Sequence, residues 1–351
     1  MAFYPNAEII EDDDFLGFSV SDFTITLEPA AQMEISISPK AELQEIGEIY
    51  QAFRRNLDVV LKEFEYVAVN MGCQPVSCVA DLEMIPKKRY KLMDEYFWNI
   101  GSGGMEMMRG TASLQISIDY HSEIDFRKKI QAAYYYSPIL KLFSDHSSSF
   151  QGKTLRTNLK RTDIWRRVDP VRCGILPNIF SETYSFKDYA DFIGKIPPIF
   201  LKNGKQFIST GCRTANELFA GKKANEDEVV HLLSMSFPDV RLKQVLEIRF
   251  ADSLPFSLMM GYCALVKGLL YSDEGLTYAK TQIIKNRLSE ENILEAENEI
   301  IKHGWQAFVY GQAITESAKQ CLQMARRNLS DTEGSYLREL LKITNVIFRS
   351  S

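Results

Sequence analysis

Residues 24–38 alternate between apolar and polar side chains, with one interruption at Pro29. Ile25, Leu27, Met33, Ile35 and Ile37 share one parity; Thr24, Thr26, Glu28, Gln32, Glu34, Ser36 and Ser38 share the other. Successive side chains of a strand point to opposite faces, so this stretch predicts one apolar and one polar face. Pro29 cannot donate to a ladder and marks an edge or a bulge between two strand halves. The alternation returns in residues 109–120, where Ala112, Leu114, Ile116 and Ile118 oppose Thr111, Ser113, Gln115, Ser117 and Asp119. It returns again in residues 245–252, where Leu246, Ile248 and Phe250 oppose Glu247 and Arg249. If the three strands lie in one sheet, helices cover the apolar side and the polar side forms a concave site.

Elsewhere the period is helical. Leu43, Ile46, Ile49, Phe53, Leu57, Val60, Leu61 and Phe64 share a face, in a helix that Ser38 and Pro39 would open and Gly72 would stop. Residues 1–37 read as a short β-hairpin region, with Glu11–Asp14 as its solvated turn. Residues 78–82 could form a strand, and residues 85–90 a basic loop leading into a short helix. Gly101–Gly104 reads as a mobile connector. Ser122 and Asp125 resemble a capping box opening a helix to about Phe143. Short helices are expected near 186–194 and 213–220. A hairpin is expected between 198–202 and 206–209, with Asn203-Gly204 in its turn. From about residue 253 the pattern is helical, with starts at Ser289 and Ser330. Strands and helices without regular βαβ alternation argue for an α+β fold with a mostly antiparallel sheet.

Composition narrows the function. The chain has 351 residues, 45% hydrophobic and 25% charged, with a net charge of −5. That balance argues against a nucleic-acid partner. No segment approaches the ~20 apolar residues of a membrane span. The N-terminus shows no basic-then-apolar leader, so a cytoplasmic protein is expected. Six cysteines without a Cys-x-x-Cys pair, and four scattered histidines, argue against zinc and against a His-centred triad. Nothing sets the oligomeric state.

The polar parities carry the candidate chemistry. Glu28, Glu34, Gln115 and Glu247 offer oxygen ligands of the kind a hard cation such as Mg²⁺ takes. With Arg249, such a face suits nucleotide phosphates held by a divalent metal. The bland alternative is an ordinary half-exposed sheet with solvated carboxylates. Arg161, Trp165 and Arg172 lie in an irregular region, 153–180, and Arg241 runs into the Glu247 strand. Such Arg clusters could clamp an amino-acid carboxylate and nucleotide phosphates; alternatively, the region is a surface loop with loose ion pairs.

Six motifs in order resemble the plant/proteobacterial branch of the glutamate–cysteine ligase family. They are Thr26-Leu-Glu-Pro-Ala-Ala-Gln-Met-Glu34, Pro86-Lys-Lys-Arg-Tyr90, the stretch from Met107 to Asp119, Arg161-Thr-Asp-Ile-Trp165, Gly174-Ile-Leu-Pro177, and the stretch from Phe237 to Asp252. The resemblance implies a single catalytic domain over residues 1–351, with a glutamine-synthetase-like curved antiparallel sheet and helices on its convex face. It implies ATP- and Mg²⁺-dependent ligation of the glutamate γ-carboxylate to the cysteine amine through γ-glutamyl phosphate, the first step of glutathione synthesis. Alternatives are another carboxylate–amine ligase on the same scaffold, or a degenerate non-catalytic homologue. Implied partners are the small molecules glutamate, cysteine and ATP. Glu28, Glu34, Gln115 and Glu247 are implied as Mg²⁺ ligands. Arg161, Arg172 and Arg241, with Trp165, are implied as substrate-binding, and Arg249 as the catalytic residue that neutralises the transferring phosphoryl group. The family's Pro-Gly-Gly-Gln is Pro-Ala-Ala-Gln here. Its usual earlier strand, with a Glu-His-Glu-type motif, has no counterpart, so the chain reads as N-terminally short relative to the family. Glu34→Gln or Glu247→Gln is expected to abolish turnover with little loss of fold, because a solvated carboxylate face adds little to the core.

Overall fold

The computed structural model describes residues 3–12, 14–101, 103–203 and 206–350. Asp13 of the expected acidic turn, Ser102 of the connector and Gly204 of the expected hairpin turn lie outside these. The fold mixes α-helices with several small, mostly antiparallel sheets.

The N-terminal region forms a four-stranded meander rather than one hairpin: β1 (Glu8–Asp12), β2 (Asp14–Ser19), β3 (Phe23–Leu27) and β4 (Met33–Ile37). Pro29 is not a bulge in one strand. It lies in the reversal that folds the two halves on each other, with Ile25 opposite Ile35 and Thr26 opposite Glu34. The parity survives this change, because antiparallel partners point to the same face. Phe23 and Ile25 are buried and pack with Phe53 of α1 (Leu43–Glu63). The reversal is closed by Ala31 N–H donating to the Glu28 carbonyl at 2.9 Å and Glu28 N–H donating to the Gln32 carbonyl at 2.8 Å. Ala31 is held at a φ of 60°, in the left-handed region that glycine adopts freely and alanine does not. Ala31→Gly is therefore expected to raise unfolding free energy by about 0.5–1 kcal/mol in urea titrations; an unchanged or lowered midpoint counts against it.

Ser38 does not cap α1. The helix starts at Leu43, and its first free N–H donates 3.0 Å to the Glu333 carboxylate. It ends at Glu63, short of Gly72, where Glu65 turns left-handed at a φ of 58°. Residues 79–81 form a turn of 3₁₀ helix rather than a strand, followed by α2 (Lys88–Ile100) and α3 (Gly104–Gly110). The second sheet has three strands in the order Val240–Leu242, Leu246–Asp252 and β5 (Ser113–Ile118). The three alternating stretches thus fall in two sheets, not one. Gln32 joins them: its side-chain amide donates to the carbonyls of Met108, Arg109 and Thr111, replacing a strand ladder with side-chain bonds.

The main core lies behind the second sheet. Leu246, Ile248 and Ala251 are wholly buried against α4 (Glu123–Phe143). This helix opens as expected, with the Ser122 hydroxyl accepting from Asp125 N–H. The helices Phe256–Leu270, Asp273–Asn286, Glu290–His303 and Ile314–Arg327 complete that core. The hairpin Phe200–Asn203/Gln206–Ser209 and the capped helices at Ser185 and Thr214 also match the pattern. No helix among the described residues is long and apolar enough to cross a membrane.

Candidate active site

The Val240–Leu242 and Leu246–Asp252 strands pair antiparallel, with Arg241 opposite Glu247. On the other side, Glu247 lies opposite Ser117 of β5. This register gathers three cations on one carboxylate. Glu247 Oε2 accepts from Arg241 Nε at 2.8 Å and from Arg249 Nη1 at 2.6 Å, and Oε1 accepts from Lys243 Nζ at 2.9 Å. Arg249 Nη1 also donates to Gln115 Oε1 at 3.0 Å.

Glu247 and Arg241 are each only 8% exposed. The face expected to be solvated is therefore covered at this point, since alternation shows which side chains share a face but not what lies over it. Burial works to raise the Glu247 carboxyl, but Arg249, Arg241 and Lys243 hold it down at about 2. Burial, then the neighbouring Arg249 charge, lowers Arg241 to about 10, which leaves it cationic at neutral pH.

Glu28 and Glu34 approach from the first sheet. Glu28 accepts from the Tyr90 hydroxyl at 3.3 Å. Its carboxyl is raised first by burial and then by the Glu34 charge, while Lys87, Tyr90 and Arg249 oppose the shift. Glu28 and Glu34 are the two half-buried carboxylates that a Mg²⁺ site here would draw on; among the described residues no three His, Cys, Asp or Glu side chains are gathered so as to hold a metal ion. Glu247 and Gln115, as arranged, fit it poorly, because Arg249 and its neighbours already engage their oxygens.

α5 (Lys160–Arg166) brings Arg161 and Trp165 to a pocket shared with Arg249 and Asp239. Arg161 is 5% exposed and donates from Nη2 to the Arg249 carbonyl at 3.0 Å. Its guanidinium lies 5.5 Å from the Trp165 ring centroid, and both Arg161 Nε and Trp165 Nε1 are buried without a partner. These two orphaned donors suit an anionic or carbonyl-bearing ligand.

Arg172 is not brought into this group. It is fully buried and makes four hydrogen bonds, to Asp169, the Met235 carbonyl, the Tyr96 hydroxyl and the Pro197 carbonyl. These bonds fasten α2 to the 169–173 turn. A charged motif does not show whether its donors are already used, which is why the sequence could not separate Arg172 from Arg161.

Sequence reasoning missed one wall of the pocket. Lys141 of α4 binds Asp239 at 2.6 Å and also Glu297, whose other oxygen takes Arg166. Burial acts to lower Lys141, but Asp239 and Glu297 outweigh it and the net direction is upward. A signal was present: Lys141 interrupts an apolar run, and Glu297 sits between Ile293 and Ile300 on a buried helical stripe.

Comparison with known proteins adds a family. The model of "Glutamate-cysteine ligase family 2" matches residues 17–340. A chloroplastic glutamate–cysteine ligase of Medicago truncatula is 28% identical over 330 residues, covering 92% of this chain and 64% of that protein. Those of Arabidopsis thaliana (28% over 299 residues; 80% of this chain, 57% of that one) and Brassica juncea (30% over 300 residues; 80% and 58%) are similar in the same way. The chain thus spans less than two thirds of the length of these curated relatives. Their chloroplastic location overturns the expectation of a cytoplasmic protein, which rested on the lack of a visible leader alone.

Proposed function

The chain belongs to glutamate–cysteine ligase family 2, and from that premise we propose that it joins the γ-carboxylate of glutamate to the amine of cysteine at the expense of ATP. In the first step a γ-carboxylate oxygen attacks the terminal phosphorus of ATP and ADP leaves with the bridging electron pair. In the second, the cysteine amine attacks the acyl carbon of the γ-glutamyl phosphate, inorganic phosphate departs, and the amine loses a proton.

The observation that carries this reading is the position of Arg249. Its side chain is braced by Glu247 and Gln115, its carbonyl is held by Arg161, and its charge reaches Glu28. A guanidinium fixed between a carboxylate face and an anion pocket can neutralise a transferring phosphoryl group without reorganising. Arg161 and Trp165 line the pocket for glutamate. Arg241 acts with Glu247 to hold Arg249, and Arg172 supports the pocket floor. Glu28 and Glu34 would hold Mg²⁺, which shields phosphate charge when bound. Glu247 and Gln115 would contribute to that metal only on releasing Arg249. The two sheets, with polar faces converging on Arg249, are read as parts of one curved surface of glutamine-synthetase type.

The test is ADP release with Mg²⁺, glutamate and a panel of amines. Release that needs both glutamate and cysteine supports the proposal. Release with glutamate and another amine moves it to a different carboxylate–amine ligase. No release with any amine overturns it in favour of a non-catalytic homologue.

A further inference from the structure

The pocket that holds Arg161 and Trp165 also has an acidic side. Asp239 is fixed between two backbones: its N–H donates to the Gly174 carbonyl at 2.8 Å, and its carbonyl accepts from Arg249 N–H at 2.9 Å. Arg161 Nη2 donates to the carbonyl of that same Arg249 at 3.0 Å. Asp239 and Arg161 are thus both bonded to the backbone of one residue, and both line the pocket. The Asp239 carboxylate is tied at one oxygen only. Its Oδ2 accepts from Lys141 Nζ at 2.6 Å, and no other donor among the described residues reaches the side chain, which keeps 16% of its surface exposed. Glu297, the other acid of this wall, keeps 2% and gives one oxygen to Lys141 and the other to Arg166. Asp239 is therefore the acid with an oxygen to spare. On α5, Arg161 Nε and Trp165 Nε1 are buried donors without a partner. Among the described residues Arg161 hydrogen-bonds the Arg249 carbonyl and no carboxylate.

We infer that Asp239 binds the α-ammonium of the amino acid whose α-carboxylate Arg161 and Trp165 take, so that the pocket selects a zwitterion over a plain dicarboxylate. Glutamate as that amino acid rests on the function proposed above. The charges of the wall support the division. Lys141 and Arg166 offset Asp239 and Glu297 by direct contact, which leaves Arg161 as the cation in need of an anion. An ammonium carries three donors, and a carboxylate with one oxygen free has acceptor sites open to it. Such charge-assisted bonds are stronger than neutral ones. A ligand with hydrogen in place of the ammonium brings a second anion to Asp239 and gives it no donor, so it is rejected by repulsion as well as by a missing bond. Lys141, gripped by Asp239 and Glu297 together, is a positioning residue that sets where the Asp239 carboxylate stands.

The experiment is titration calorimetry of the full chain with glutamate and with glutarate, the same molecule lacking the amine, in Mg²⁺ and a non-hydrolysable ATP analogue. Wild type should bind glutamate about thirtyfold more tightly than glutarate. Asp239→Asn should weaken glutamate about thirtyfold and leave glutarate no weaker, so that the preference disappears. An Asp239 that served the fold alone would weaken both ligands together. Glu297→Gln disturbs the same charge group without touching the spare Asp239 oxygen, so it should lower the urea midpoint and keep the preference. If Asp239→Asn fails to fold, the double variant with Lys141→Met removes both partners of the buried pair and is read in its place. The inference is overturned if wild type binds the two ligands equally or binds neither, if the Asp239 variant keeps the preference, or if it weakens both ligands in proportion. A chain that releases no ADP with any amine but prefers glutamate, with the preference lost in Asp239→Asn, upholds the ammonium subsite and overturns only the function proposed above. ADP release that needs glutamate and cysteine, without a wild-type preference over glutarate, overturns the subsite alone.

Discussion

Replacing Arg249 by alanine is expected to lower kcat by about a thousandfold, read as ADP release with glutamate, cysteine and Mg²⁺. The reason is preorganisation. Arg249 is held by Glu247 at 2.6 Å and Gln115 at 3.0 Å before any ligand arrives, so its charge is already aimed. Its backbone carbonyl, not its side chain, receives Arg161, so truncation leaves that contact in place and the loss falls on the chemical step. Arg249→Lys should fall between the two, because an ammonium keeps the charge but not the planar fork that reaches Glu247 and Gln115 together. An alanine variant with unchanged kcat removes Arg249 from the mechanism.

Glu247→Gln should cost about 3 kcal/mol of stability at neutral pH, contrary to the expectation of a dispensable solvated carboxylate. The amide keeps the shape but leaves Arg241 and Arg249 side by side without their shared counter-charge. The carboxyl is held at about 2, below its ordinary value of 4.5. A lowered carboxyl contributes stability that is fully present above 4.5 and is lost as pH falls toward about 2. The gap in urea midpoint between wild type and variant should therefore be widest at neutral pH and narrow below 4.5. A gap that is absent at neutral pH, or that widens in acid, sinks the argument.

What the sequence revealed follows from distance along the chain. The parities of β3, β4, β5 and the Leu246–Asp252 strand, and the cap at Ser122, depend on neighbours a few residues away, and these were legible. The partition into two sheets was not, because a proline between two strand halves serves a reversal as well as a bulge. Nor was the start of α1 legible: its cap comes from Glu333 rather than from Ser38. The candidate site divides the same way. Glu28, Glu34, Glu247 and Arg249 stood out by parity, whereas Asp239, Lys141 and Glu297 meet from three separated elements. The spent donors of Arg172 appear only when its partners are seen.

The Glu333 carboxylate that caps α1 also binds Lys267 at 2.7 Å, and Glu297 completes the charge group around Lys141. Both acids follow the helix and pocket wall they secure by well over a hundred residues. During synthesis on the ribosome, those early segments emerge before their partners exist. The Lys141 wall of the pocket is therefore complete only after position 297 has cleared the exit tunnel, and the first turn of α1 only after position 333 has. Until then α1 carries an open first turn and Lys141 lacks one of its two counter-charges.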